Sequence, residues 1–273
     1  MNKINEYNYK NNNNNNNKLI TSSPGKILLS GGYLIINPNY QGLVLCSKTY
    51  FTCEGKIYNN NNNNKNNNNQ ISNFKIIVNS LNFKKSYFYV LTINEEKEKE
   101  KENSIKEISL NLHIEDIKKE KEELKDFILF DIDNEENKFI YFALKISFYF
   151  FLLKFLSKIP YENWREILFD VKKNGNLFVY NLNGDYRFYG FNEIYNNNND
   201  NKIKTGLGSS SALITSLCSN VLLNLQKLFN NENLFNSLND YSKEIRLLLF
   251  IICLEANNQA QNKVNKIYII SNI

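Results

Sequence analysis

An α+β fold, with strands and helices stacked in layers over one core, is what this sequence predicts, and three observations predict it. Short apolar runs punctuated by glycine and proline fill the first part of the chain. One long run, 139–156, is apolar on nearly every side, and a glycine turn at 206–208 opens a helix on which a second helix packs. At 273 residues, 42% hydrophobic and 14% aromatic, the chain has enough apolar material for a buried core.

Taken in order, residues 1–18 are a polar tail dominated by asparagines 11–17, expected to be disordered because it buries too little apolar surface to offset chain entropy. Residues 19–21 and 26–36 read as buried strands separated by a turn at Ser22, Ser23, Pro24 and Gly25. Gly31 and Gly32 interrupt the second run and let a backbone or a ligand come close. Lys26 opens that run. Taken alone it suits a strand-end lysine reaching solvent as well as a fixed cation facing a phosphate.

A turn through Asn37, Pro38 and Gly42 leads to a strand at 43–53, and further strands are expected at 74–78 and 86–93. Residues 59–70 are an asparagine-rich insert in a surface loop. A charged tract, 94–126, contains EEKEKEKE and reads as a solvated helix or a disordered insertion. After the apolar helix 139–156, strands are expected at 166–171 and 177–182, followed by a turn at Asn183, Gly184 and Asp185. A third insert, 195–201, precedes helices at 210–229 and 240–258.

Composition excludes several function classes. The net charge of +5 comes from lysines interleaved with glutamates, which gives little support to nucleic-acid binding. Four cysteines (Cys46, Cys53, Cys218, Cys253) lack CxxC spacing, so neither a zinc site nor a disulfide framework is expected, and a reduced, cytoplasmic setting is the simplest inference. With His113 as the one histidine, and that in a charged stretch expected at the surface, histidine triads and multi-histidine metal sites have no residues to use. Residues 1–18 carry no apolar signal. Lys145 and Lys154 interrupt 139–156, making it a core helix in expectation and not a membrane span.

The chemistry concentrates at 204–215, KTGLGSSSALIT. Gly206 and Gly208 permit positive φ and close approach of an anion, while the unpaired amides of a helix's first turn attract it. Ser209, Ser210 and Ser211 can cap the helix, or reach a phosphate oxygen or a phosphate-bound Mg²⁺. Ala212, Leu213, Ile214, Leu217, Val221 and Leu222 supply its apolar face. Neither the GxxxxGK[ST] loop nor the three-glycine dinucleotide turn is present, and by itself the turn also suits a capped helix with a flexible lead-in.

Together with the segment SSPGKILLSGGYLIINPNYQGLVL, the run GLGSSSA resembles the GHMP kinase superfamily and, within it, the eukaryotic phosphomevalonate kinase family. Gly206, Leu207, Gly208, Ser209 and Ser210 match its GLGSS loop, with Ser211 in the usual alanine's place and Ala212 next. Gly32 and Tyr33 replace the glutamate–histidine pair of the mevalonate kinase branch. The resemblance implies that residues 19–264 are a GHMP kinase N-terminal, ATP-binding domain of the ribosomal protein S5 domain 2-like fold. It also implies a phosphotransferase with a phosphate group as acceptor, converting mevalonate 5-phosphate to its diphosphate in isoprenoid and sterol synthesis, with ATP and Mg²⁺.

Carried over by position, Gly206 to Ala212 would cradle the ATP phosphates, with Lys204 and Thr205 beside them. Ser210 would be the Mg²⁺ ligand, and Lys26 would face the transferring phosphoryl group. The family continues past its last helix into GSGFDVA, whose aspartate is read as a base, and then a ferredoxin-like half. Here Gln261, Asn262, Lys263 and Val264 lead into a divergent tail, 265–273, so both are expected to be absent, leaving the cleft and apolar faces uncovered. Two alternatives stay open: a non-catalytic remnant of the family, alone or paired with another chain, and an enzyme acting on another substrate, as mevalonate kinase or the related decarboxylase does. No nucleic-acid or membrane partner is expected, and the sequence leaves the oligomeric state open.

Overall fold

The computed structural model describes residues 18–31, 37, 39–59, 72–95, 108–114, 124–133, 135–156, 176–188, 207–228 and 243–261. Among the described residues six strands form one mixed sheet: β1 (Leu19–Ser30), β2 (Leu43–Asn59), β3 (Ser72–Ser80), β4 (Lys85–Glu95), β5 (Ile108–Ile114) and β6 (Asn176–Gly184). Their spatial order is β1-β2-β6-β3-β4-β5, antiparallel throughout except for the parallel pair β3 and β6. Among the described residues three α-helices accompany it: α1 (Lys138–Leu156), α2 (Ser209–Leu228) and α3 (Lys243–Ala260).

Period-two alternation on the strands sends one set of side chains to the helices. Phe51, Cys53, Phe74, Ile76, Val78, Tyr87, Tyr89, Leu91, Phe178 and Tyr180 meet α1 and α2 in one buried cluster. Each fully buried Phe or Leu there contributes about 2–3 kcal/mol of transfer free energy. Ile77, Phe88, Val90, Leu177 and Val179 take the opposite face, where the segment around Leu124, Phe127 and Ile132 covers them. Both faces of β3, β4 and β6 are therefore apolar, which accounts for continuous runs such as Ile76-Ile77-Val78.

Asn137 starts α1 by accepting hydrogen bonds at Oδ1 from the amides of Phe139 (3.1 Å) and Ile140 (3.3 Å). The helix buries Ile140, Ala143, Leu144, Ile146, Phe148, Phe151 and Leu152. No helix among the described residues is long and apolar enough to cross a membrane.

Four sequence expectations are corrected. No turn separates 19–21 from Lys26: β1 runs through, with a register shift between Pro24 and Lys26. Pro24 is tolerated because β1 is an edge strand, and Gly25 because a Cβ there would meet Ser47 Oγ and Thr49 Oγ1 at 2.6 Å. The charged tract 94–126 is not wholly a solvated insertion, since β5 lies inside it and pairs with β4, Leu112 opposite Leu91. β2 continues past residue 53 through Gly55 to Asn59, and β6 runs through Gly184 into a 3₁₀ turn at Tyr186–Phe188. The expected strand at 166–171, residues 1–17, the insert residues 60–70 and 195–201, and the tail 265–273 lie outside the described residues.

The far end of the β1–β2 ribbon is apolar and exposed on both faces: Ile27, Leu28 and Leu29 on one strand, Leu43, Val44 and Leu45 on the other. It adjoins Lys26.

Two ion pairs pin the sheet margins. Lys85 holds the Asp133 carboxyl below its ordinary range through a direct hydrogen bond, and Arg187 does the same to Asp185. A depressed folded-state carboxyl pKa gives a stabilisation present above the unfolded value and lost as pH falls through the folded one. Stability should therefore decline below about pH 4, and the double variant Asp133→Asn, Asp185→Asn should show a shallower acid limb in urea midpoints measured against pH.

Candidate functional site

The site forms where β1 meets the start of α2. Helix α2 is fixed first by its polar contacts. Asn220 Nδ2 donates to the carbonyls of Leu19 (3.1 Å) and Cys53 (2.8 Å) and to Thr21 Oγ1 (3.3 Å), while Thr21 Oγ1 donates to the Ser216 carbonyl (2.6 Å). Asn224 Nδ2 closes the set on Asn220 Oδ1 at 2.7 Å. These buried bonds tie α2 across β1 and β2, and Gly55 leaves room for Asn220 against β2.

With α2 so placed, its first turn reaches Lys26. The Lys26 amide donates to the Leu207 carbonyl at 2.8 Å. Gly208 has φ +72°, a left-handed conformation that favours glycine, and its bare face lies under the Lys26 stem: a Cβ there would sit 3.0 Å from Lys26 Cγ and 3.2 Å from Cε. The first helical hydrogen bond runs from the Ala212 amide to the Gly208 carbonyl, 3.1 Å. Among the described residues nothing accepts from the amides of Ser209, Ser210 or Ser211, and Lys26 Nζ makes no ion pair. Lys26 is exposed, and the three serines are half-buried.

Beside this bend lies a cavity of about 380 Å³, lined by Ser209, Ser210 and Leu213 of α2, Glu136 to Phe139 at the head of α1, Phe51, Phe83 and Ala260. Its walls combine aromatic rings with a carboxylate and an ammonium, suited to a ligand with both a flat apolar part and charge.

The structure thus brings Lys26, Leu207, Gly208, Ser209, Ser210, Ser211 and Ala212 into one place. Ala212 differs from the rest: it is buried in the core and offers its backbone alone. Lys204, Thr205 and Gly206 lie outside the described residues, as do Gly32 and Tyr33. Sequence reasoning missed Phe51, Phe83, Glu136, Asn137 and Phe139. Of these, Asn137 carried a readable signal, an asparagine cap immediately before an apolar helix.

Chemically, first-turn amides, a positive-φ glycine and one lysine form a concave donor set without an acceptor, which fits a phosphate chain. Among the described residues there is no cluster of three His, Cys, Asp or Glu side chains able to hold a metal. A Mg²⁺ ion bound through phosphate and water needs few protein donors, and the Ser210 hydroxyl, unpartnered among the described residues, could serve as one.

No family model matches the chain, and no curated protein matches it. Among solved structures the chain is similar to the one described as the crystal structure of a Lin0012 protein from Listeria innocua, with 13% identity and a TM-score of 0.41. The match covers 90% of this chain and 43% of that one, so the chain spans less than half of that protein's length. A likeness of this size carries no argument about fold family or activity.

Proposed function

We propose that the chain is a kinase domain of the GHMP type that holds the polyphosphate of ATP at the Gly208 bend and transfers its terminal phosphoryl group to mevalonate 5-phosphate. One observation carries this reading: two segments far apart in sequence, each matching a family motif, meet with the Lys26 stem lying across Gly208. The acceptor's identity rests on the sequence resemblance.

Phosphoryl transfer asks a protein mainly for positioning and for compensation of negative charge. Here the amides of Ser209, Ser210 and Ser211 would hold the phosphate chain, and the Lys26 ammonium would reach the oxygens that gain charge as the bond to the leaving group breaks. Ser210 would hold a Mg²⁺ ion, which would supply further charge neutralisation. A phosphate-monoester acceptor is largely dianionic above about pH 6, so its oxygen attacks without a base removing a proton first. That chemistry suits a site whose cavity is lined, among the described residues, by a single carboxylate, Glu136.

Purified chain given ATP, Mg²⁺ and mevalonate 5-phosphate should release ADP above background. Offering mevalonate and mevalonate 5-diphosphate in parallel identifies the acceptor, and selectivity for either would move the chain to the other branch. ATP binding without turnover would favour the non-catalytic remnant, and neither binding nor turnover would overturn the proposal. Ser210→Ala should weaken the Mg²⁺-dependent part of ATP affinity by roughly tenfold, the scale of one lost contact to a charged group, with the melting temperature unchanged. Equal affinity with and without the hydroxyl, measured by titration calorimetry, would remove Ser210 from its role.

A further inference from the structure

On the sheet face turned away from α1 and α2, the apolar alternation of β3, β4 and β6 breaks at one row. The register places Ser86, Asn79 and Asn181 side by side there. Asn79 is wholly buried although Ile76, Ile77 and Val78 precede it, and a carboxamide is costly in such a place unless both its ends are bonded. Both are. Nδ2 donates to the Phe127 carbonyl (3.0 Å) and to Asn181 Oδ1 (2.8 Å), and Oδ1 accepts from the Ser86 hydroxyl (2.7 Å) and the Leu129 amide (3.3 Å). Ser86 extends the set. Its Oγ accepts from the Phe130 amide (3.1 Å), its amide donates to the Asp131 carbonyl (3.0 Å), and its carbonyl accepts from the Asp133 amide (2.9 Å).

These bonds hold a strap, 124–133, whose Leu124, Phe127, Ile128 and Ile132 pack on Ile77, Phe88 and Val90. Just beyond it, Asp133 Oδ1 accepts from the Glu135 amide at 3.0 Å, and the chain then supplies Glu136 to Phe139 to the cavity wall. Apolar contact is non-directional, so packing alone would let the strap slide over the sheet. A slip of one residue in extended chain would carry Glu136 and Asn137 by about 3.3 Å.

We infer that Asn79 and Ser86 are positioning residues for the cavity: acting through the strap, they fix where Glu136 to Phe139 stand relative to Ser209 and Ser210. Neither lines the cavity, and nothing in the proposed reaction uses them. The consequence for ATP rests on the kinase reading, whereas the positioning itself does not.

The test uses the full chain beside its Asn79→Leu and Ser86→Ala variants. Leucine fills the asparagine's space without a donor or acceptor, and Ser86→Ala is the milder change, removing one hydroxyl. Amide exchange resolved by NMR should quicken roughly tenfold in either variant at Leu129, Phe130, Phe139 and Ile140, while the β1–β2 ladder keeps its rates. Faster exchange at Leu129 and Phe130 with Phe139 and Ile140 unchanged would overturn the inference. In the unsubstituted protein the same four amides should share one opening, their exchange rising in parallel as urea is added. Separate openings would overturn it even if neither variant folds. With ATP and Mg²⁺ as probe, KM for ATP should rise roughly tenfold with kcat within about twofold, since Lys26 and the Gly208 bend are untouched. An unchanged KM in a variant that turns over would also overturn it. Failure of the unsubstituted chain to bind ATP would count against the kinase reading alone, because amide exchange decides the positioning without any ligand.

Discussion

Replacing Lys26 with methionine is expected to lower kcat/KM for ADP formation by about 10²–10³-fold, the scale of losing one preorganised group facing developing charge. Methionine keeps an unbranched stem over Gly208 and any residue keeps the amide that donates to the Leu207 carbonyl, so local packing should survive. Lys26 is exposed and makes no ion pair among the described residues, so stability should change by no more than about 0.5 kcal/mol. Steady-state kinetics beside a thermal melt separate the two effects. Unchanged turnover with unchanged stability would mean that the lysine, despite its position, faces nothing that reacts.

Gly55→Ala should be strongly destabilising, because its Cβ would meet the tightest contact of any glycine among the described residues. Gly55 sits in β2 between Leu19 and Tyr180, directly beneath α2. A Cβ there would overlap Asn220 Oδ1 outright and come within 2.6 Å of Asn224 Nδ2 and 2.9 Å of Tyr180 Cδ1. Relief requires α2 to lift, which breaks the Asn220 bonds to the Leu19 and Cys53 carbonyls and strands buried polar groups. Overpacking combined with lost buried hydrogen bonds is expected to cost about 3 kcal/mol or more, a fall of roughly 6–12 °C in melting temperature. Because the same helix carries Gly208 to Lys26, ATP affinity should fall with it. The pair Gly55→Ala, Asn220→Ala should be less destabilised than the sum of its singles, since removing the asparagine removes the closest of the three clashes. Strict additivity would show that the close approach of α2 to β2 is not what the glycine secures.

Long apolar signals were readable in the sequence, and local exceptions were not. The run 139–156 and the pattern following Gly208 correspond to α1 and α2 within a residue at each end, because helical periodicity and a glycine break are strong, local cues. Pro24 and Gly25 look like a turn, yet in an edge strand the missing donor of Pro24 costs nothing, and Ser47, Thr49 and Phe188 fill the space beside Gly25. Gly55 misleads in the same way: it marks a crossing helix, not a strand end. β5 carries period-two alternation at Ile108, Leu110, Leu112 and Ile114, masked by the charges around it.

The site divides along the same line. Its phosphate-type bend is a contiguous motif and could be read directly. That Lys26 lies on it depends on the register of β1 against β2 and on the Asn220 contacts that set α2, which no spacing in the chain expresses. The aromatic lining from Phe51 and Phe83 comes from packing alone.

Amine acetylation of the native chain, read residue by residue by mass spectrometry with and without ATP and Mg²⁺, tests the central claim most directly because it needs no turnover. Saturating nucleotide should slow modification of Lys26 at least severalfold while leaving Lys85, held by Asp133 at the other side of the sheet, unaffected. Equal labelling of Lys26 in both conditions, with ATP binding verified on the same sample, would place the nucleotide elsewhere and contradict the account.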